Sequence, residues 1–299
     1  MIKRYLATFT YIIVLAFSLH AQSGEPYANN YLDREVSQLQ CNDLQIQLEK
    51  YIETHPQLNR LAEQNRLAIG VVDLRDSEAT RYAGINDNHM MYAASLPKIA
   101  ILYAAIDAIE RGDLENSPEV QNDLKLMISK SNNQASTRMI DRIGYENIEA
   151  SLRRAEHSLY DESTGGGLWV GKRYASGGQR YPDPLKGISH AATTRQVCSF
   201  YYQLVTGKLI TPKRSKEILE YLKDPKLYHK FVNTLQQIAP EATLYRKSGS
   251  WKQYHSDSVL VWGPERKYIL VALVEDGSGE QIIRNLVKPI EEIINNSRP

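Results

Sequence analysis

Residues 95–106 read Ser-Leu-Pro-Lys-Ile-Ala-Ile-Leu-Tyr-Ala-Ala-Ile. From Ile99 to Ile106 no position carries a charge, so a helix here has no face for water and belongs in an interior. Lys98 stands at its start, where an ammonium is costly unless it is paired or its pKa falls, and lysines shift readily when desolvated. Ser95 lies three residues earlier. On a helix that spacing puts the two side chains on one face, one turn apart and within hydrogen-bond reach. Ser95 would then sit at the helix N-terminus, where free backbone N–H groups and the positive dipole end favour a developing oxyanion. A hydroxyl beside a neutral lysine makes a nucleophile and its base. The same residues also read without chemistry, with Ser95 as an N-cap, Pro97 as an early-turn proline and Lys98 as a snorkelling side chain.

Working outward, the middle of the chain from Leu96 to about Leu222 is helical by pattern. LPKIAILYAAIDAIERG, DLKLMISK, NQASTRMIDRIG, ENIEASLRRAE and TTRQVCSFYYQLVTGK all carry helical periodicity. Residues 163–187 interrupt it with seven glycines and two prolines, which predicts a long loop. Upstream, a polar lead-in over 25–35 precedes the helical pattern LQCNDLQIQLEKYIE, then strands over Leu67–Leu74 and Thr80–Ala83. Downstream, strands are predicted over Thr243–Lys247, Ser258–Trp262 and Tyr268–Val274, then a helix from about Glu280 to Asn295. Two strands before the helical block and three after it predict an α/β (α+β) fold. One antiparallel five-stranded sheet, flanked by the terminal helices, joins an all-helical lobe. The sheet lobe would take about 36–92 and 240–299, the helical lobe about 93–239, with the site in the cleft between them.

The 299 residues are 42% apolar and 24% charged, enough for a sizeable core in one or two compact domains. Lys3 and Arg4 precede an uncharged run from Tyr5 to Leu19, and polarity rises at LHAQSGEP. This predicts a signal peptide over 1–21, cleaved after Ala21, and an exported protein, periplasmic or secreted; an uncleaved anchor is the alternative. No later stretch is apolar enough to span a membrane. Net charge is +1 for the full chain, which offers no reason for a nucleic-acid partner. The seven histidines are scattered, with no i,i+4 pair, so neither a metal nor another cofactor is expected. Cys41 and Cys198 read as two separate buried thiols.

Two further motifs bear on the nucleophile. Ser131-Asn132-Asn133 follows one helical pattern and opens another, so Ser131 and Asn133 are presented at a short connection, unless they form only a capping turn. Lys247-Ser248-Gly249 ends a predicted strand, where glycine lets a ligand approach the backbone and the ammonium and hydroxyl can hold a carboxylate, unless this is an ordinary strand end. S-x-x-K, then S-x-N, then K-[ST]-G, each occurring once and in this order, resembles the class A β-lactamases and related penicillin-binding serine enzymes. The likeness runs from about Leu67 to the last helix. It implies Ser95 as nucleophile, Lys98 as the residue that takes its proton, and Ser131 as proton donor to the departing nitrogen. It further implies Asn133 on the substrate amide, Lys247 and Ser248 on its carboxylate, and an oxyanion hole from the N–H groups of Ser95 and Ser250, the residue after Gly249.

The sequence departs from that family in the loop. No E-x-x-L-N segment precedes the Thr193-Thr194 helix; residues 163–182 contain no acid, and Asp161, Glu162 and Asp183 lie in the wrong pattern. The Lys98-to-Ser131 link is short, Asn132 replaces the customary aspartate, and Ser248 replaces the commoner threonine. Acylation survives these changes better than fast deacylation. The loop also brings Lys172, Arg173 and Arg180 with Trp169, Tyr174 and Tyr181, either a rim for an anionic substrate or a solvated surface. The expectation is a monomeric β-lactamase-like serine hydrolase acting slowly on a small-molecule β-lactam. A cell-wall D,D-peptidase, amidase or esterase, or a non-turnover β-lactam sensor, would use the same acylation residues.

Overall fold

The computed structural model describes residues 33–297 together with Pro26 and Tyr31. The expected signal over 1–21 and most of the lead-in lie outside the described residues. Along the chain come a short 3-10 turn (Val36–Leu39), α1 (Asn42–Glu53), α2 (Pro56–Glu63), β1 (Leu67–Asp73), β2 (Arg81–Ile85) and β3 (Met91–Tyr92). Then follow α3 (Lys98–Arg111), α4 (Pro118–Ser129), α5 (Asn133–Ile143), α6 (Tyr145–Leu152), β4 (Tyr160–Asp161), β5 (Gly166–Gly167), β6 (Trp169–Val170) and β7 (His190–Ala192). The chain ends with α7 (Thr194–Val205), α8 (Pro212–Leu222), α9 (Phe231–Ile238), β8 (Thr243–Trp251), β9 (Tyr254–Trp262), β10 (Lys267–Glu275) and α10 (Gly279–Asn296). No helix among the described residues is long and apolar enough to cross a membrane.

The expected sheet is present: five strands in the order β2-β1-β10-β9-β8, antiparallel throughout. Its central strand β10 is buried from Tyr268 to Val274, because helices cover both faces of the sheet. Ile269, Val271 and Leu273 face the core shared with α3 and α7, while Leu270, Ala272 and Val274 face α1, α9 and α10. Coverage of both faces explains why the strand is an unbroken apolar run rather than an alternating one. α3 is the expected all-round buried helix, packed against α4, α5, α6 and α8, and it stops at Gly112, whose φ of 81° closes the helix in the left-handed region.

Several elements differ from expectation. β8 runs on to Trp251, so Lys247-Ser248-Gly249 lies inside the strand and not at its end; the small residues that resemble a turn stay paired with β9 as far as Trp251↔Tyr254. α2 was not anticipated. The glycine-rich stretch is not a plain loop, because β5 pairs with β4 and β6 joins a small sheet with β7 and β3. No disulfide joins the two cysteines among the described residues, and only Cys198 is buried; Cys41 is half-buried.

Gly70 in β1 lets α7 approach: a Cβ there would stand 2.8 Å from Cys198 Sγ and 3.2 Å from the Thr194 carbonyl oxygen. Gly70→Ala should therefore cost about 1–3 kcal/mol by overpacking. Adding Cys198→Ala should return part of that loss, since the two positions share one space. Urea denaturation of the two single variants and the double variant measures the coupling.

Candidate active site

The turn before α3 carries Ser95. Ala94 adopts φ 51° in the left-handed region, and the chain enters the helix through i→i+3 bonds, Leu96 N–H to Ala93 O and Lys98 N–H to Ser95 O. The helix itself begins only at Lys98, with Pro97 as its N-cap. Ser95 is thus neither on the helix nor its cap, and its hydroxyl has no hydrogen-bond partner among the described residues. This corrects both the expectation of two side chains on one helical face and the capping alternative.

Lys98 is fully buried, so it does not snorkel. Its Nζ donates to Ser131 O at 2.6 Å, Asn133 Oδ1 at 2.8 Å and Ser131 Oγ at 3.3 Å. Three acceptors match the three protons of an ammonium, and none of these bonds goes to Ser95. Burial pushes the Lys98 pKa down to about 7.

The 131–133 turn is shaped for this role. Ser131 holds φ 53°, strain of the kind that persists where surroundings enforce it. Asn132 caps α5 by accepting from Ala135 N–H at 2.8 Å, a task an aspartate does equally well. The turn does cap a helix, then, but through Asn132, leaving Ser131 and Asn133 to face Lys98.

Lys247 is buried in β8 and donates to Ser131 Oγ at 3.0 Å and Ser248 O at 2.6 Å. Burial first, then the charges of Lys98 and Arg246, hold its pKa well below the usual lysine range. The Ser131 hydroxyl therefore accepts from two lysines at once. Ser248 Oγ has no partner among the described residues. At Gly249 a Cβ would meet Ala93 O at 2.4 Å and Ser95 N at 2.5 Å, so only glycine lets the edge strand lie against the backbone N–H of Ser95. Ser256 Oγ ties the two together by donating to Ala93 O at 2.7 Å.

Beneath the strand lie residues that sequence reasoning missed. Lys230 is fully buried and donates to Gly249 O at 2.5 Å, Ser250 Oγ at 2.8 Å and Ser256 O at 3.0 Å; burial pushes its pKa down to about 8. Arg246 and Asp257 form a buried bidentate pair at 2.6 and 2.9 Å. No local pattern marks Lys230, which follows an ordinary loop, whereas Arg246 adjoins Lys247. From the glycine-rich segment, Tyr174 lies against Lys98, its ring centroid 4.4 Å from Nζ. Arg173 pairs with Asp141 instead, and Trp169 stacks on Tyr181 away from solvent.

The three acids nearest the loop are all engaged elsewhere. Asp161 caps Ser163 N–H, Glu162 pairs with Arg153 at 2.6 Å, and Asp183 gathers the N–H groups of Leu185, Lys186 and Ile188. A hollow of about 460 Å³ between residues 33–38 and α7 contains none of the motif residues, and its His157 is already paired with Gln203. Of the residues singled out in the sequence, Lys98, Ser131, Asn133 and Lys247 thus form one hydrogen-bonded group, and the turn that carries Ser95 packs against Gly249 of β8.

A family model described as the beta-lactamase enzyme family matches residues 53–123 and 115–297. Among solved structures, an ancestral class A beta-lactamase is 15% identical, with 79% of this chain and 98% of that one aligned at a TM-score of 0.62. The beta-lactamase of Sphaerobacter thermophilus is 15% identical over 78% of this chain and 92% of its own, TM-score 0.63. PBP-A is 17% identical over 85% and 96%, TM-score 0.63. These likenesses establish the fold. No curated protein matches the sequence.

Asp257 is the carboxylate that offsets Arg246 beneath this cationic strand. Asp257→Ala should cost about 3–5 kcal/mol, because Arg246 would be left buried and unpaired. Chemical denaturation checks this, and a loss under about 1 kcal/mol would mean that the pair is not structural.

Proposed function

The chain belongs to the beta-lactamase enzyme family, and we propose that it is an exported serine hydrolase that forms an acyl-enzyme at Ser95 and hydrolyses β-lactam amides slowly. The observation that carries this reading is the Ser131 hydroxyl, which accepts from Lys98 at 3.3 Å and from Lys247 at 3.0 Å. With both lone pairs taken, its own proton is left for another acceptor, which a departing nitrogen would supply.

The steps follow from that arrangement. Neutral Lys98 takes the Ser95 proton, and Ser95 Oγ attacks the lactam carbonyl carbon. The oxyanion is received by the N–H groups of Ser95 and Ser250, on backbone that Gly249 keeps in contact. The C–N bond breaks, and Ser131 gives its proton to the nitrogen, regaining one through the lysines. Asn133 keeps its Oδ1 on Lys98, so its amide N–H groups are free for a substrate carbonyl. Lys247 and the unpartnered Ser248 hydroxyl hold the carboxylate. A substrate anion suits the site, since Lys247 and Arg246 adjoin on β8 and Asp257 is taken up by its bidentate pair with Arg246.

Slow release is supported by the lack of a carboxylate on Lys98 among the described residues, and by the engagement of Glu162 with Arg153. The same observation keeps a second reading open, a β-lactam-binding sensor or cell-wall peptidase that uses the same acylation residues. Export rests on the pattern of residues 1–21.

Ser95→Ala should abolish covalent labelling by penicillin, read by intact-mass spectrometry, and leave the fold intact, since the hydroxyl caps nothing. Lys98→Ala should suppress acylation as severely, with the double variant scarcely worse than either single one. Acylation by the wild type should rise with pH through about 7 and level off above it, because only the neutral amine accepts a proton. Glu162→Gln should leave turnover nearly unchanged. A fall of roughly 10² or more, with acylation preserved, would make Glu162 the hydrolytic base.

A further inference from the structure

The glycine-rich segment brings an aromatic ring to Lys98. Tyr174 places its centroid 4.4 Å from Nζ, donates its hydroxyl to Ala94 O at 3.2 Å, and packs on His190 with ring centroids 4.3 Å apart. His190 is itself held, with Nε2 3.0 Å from Lys172 O and Nδ1 3.1 Å from Ser189 Oγ, and it makes an edge-to-face contact with Tyr92. Burial pushes the His190 pKa down to about 4, so the ring is neutral near pH 7.

A water between the amine and the Tyr174 ring would need roughly 2.9 Å to the nitrogen and about 3.5 Å to the ring, on the order of 6 Å in all. The observed 4.4 Å leaves no such room. The amine's other neighbours are Ser131 and Asn133, and the titratable groups facing it are Lys247 from β8, His190 from β7 and Tyr174 from the loop. None is a carboxylate.

Resting on the reading of Ser95 as nucleophile and Lys98 as base, we propose that Tyr174 is a positioning residue whose ring keeps water off the Lys98 amine and so governs how long the Ser95 acyl-enzyme lasts. In hydrolysis the water oxygen bonds to the acyl carbon while its proton passes to the neutral amine. The bond from that carbon to Ser95 Oγ then breaks, and Oγ takes the proton back. Water must reach Lys98 for this to occur, and the ring occupies its flank. The ring face attracts an ammonium, but the ring also shields the amine from water, and burial is what lowers the Lys98 pKa, so removing the ring should hydrate the ammonium and raise the pH at which it titrates. A phenylalanine keeps the ring and loses only the bond to Ala94.

The test compares wild type, Tyr174→Phe and Tyr174→Ala, with folding checked by circular dichroism. Lys98 is titrated by NMR on protein labelled at lysine Cε, its signal assigned by loss in Lys98→Met. The lifetime of the adduct with a fluorescent penicillin is measured in parallel. Tyr174→Phe should titrate with the wild type, and Tyr174→Ala about one pH unit or more higher; at a pH well above both midpoints, where the amine is neutral in every variant, the Tyr174→Ala adduct should have a lifetime shorter by roughly ten-fold or more. If Tyr174→Ala does not fold, Tyr174→Gln, of similar length but without a ring, takes its place with the same expectations. A folded ringless variant whose Lys98 titrates with the wild type would overturn the proposal, whatever the penicillin shows. A wild type that takes no label would instead overturn Ser95 as nucleophile, and the titration would still decide the role of Tyr174.

Discussion

An ammonium at the first residue of a helix that water cannot reach must find its oxygens within the fold. In this chain they come from the 131–133 turn. That need organises what surrounds it: Ser131 is held in the left-handed region so that both its carbonyl and its hydroxyl meet Lys98, and Asn132 begins α5 so that Asn133 can turn back. Lys247 joins the same hydroxyl from the sheet, which couples the turn before α5 to β8. Ala94, Ser131 and Lys230 all hold positive φ beside these groups, a strain that persists where packing enforces the geometry.

Beneath the edge strand a second layer repeats the problem. Lys230 and Arg246 are buried there, and backbone oxygens and Asp257 answer them. The lysines accordingly sit below their ordinary pKa. A burial that costs stability when an ammonium is charged is also what leaves Lys98 able to accept a proton near neutrality. On the proposed mechanism the same dryness, completed by Tyr174, would separate the two halves of the chemistry, favouring removal of the Ser95 proton and disfavouring the approach of a water.

Much of this was legible in residues 95–106. A run without charge predicts a helix buried on all sides, and α3 is that helix. The apolar runs on either side of the helical block likewise predict the sheet that forms, since a strand covered on both faces leaves an unbroken signal in the sequence. Local pattern failed where tertiary contact overrides it. Ser248, Gly249 and Ser250 look like a turn, yet pairing with β9 carries the strand through them. Helical spacing placed Ser95 on α3, but Pro97 and the strained Ala94 put it in a turn ahead of the helix. Lys230 and Tyr174 reach the cluster from segments with no regular pattern, so only the folded chain brings them there.

The proposed acylation at Ser95, with no carboxylate on Lys98 among the described residues to serve hydrolysis, has a direct kinetic consequence. Mixing the mature protein with a fluorescent penicillin and, separately, a chromogenic cephalosporin tests it, by following retained label and released colour over time. Rapid labelling with slow further release of colour is the predicted result. Absence of any label, or rapid sustained colour without a lasting adduct, would contradict it.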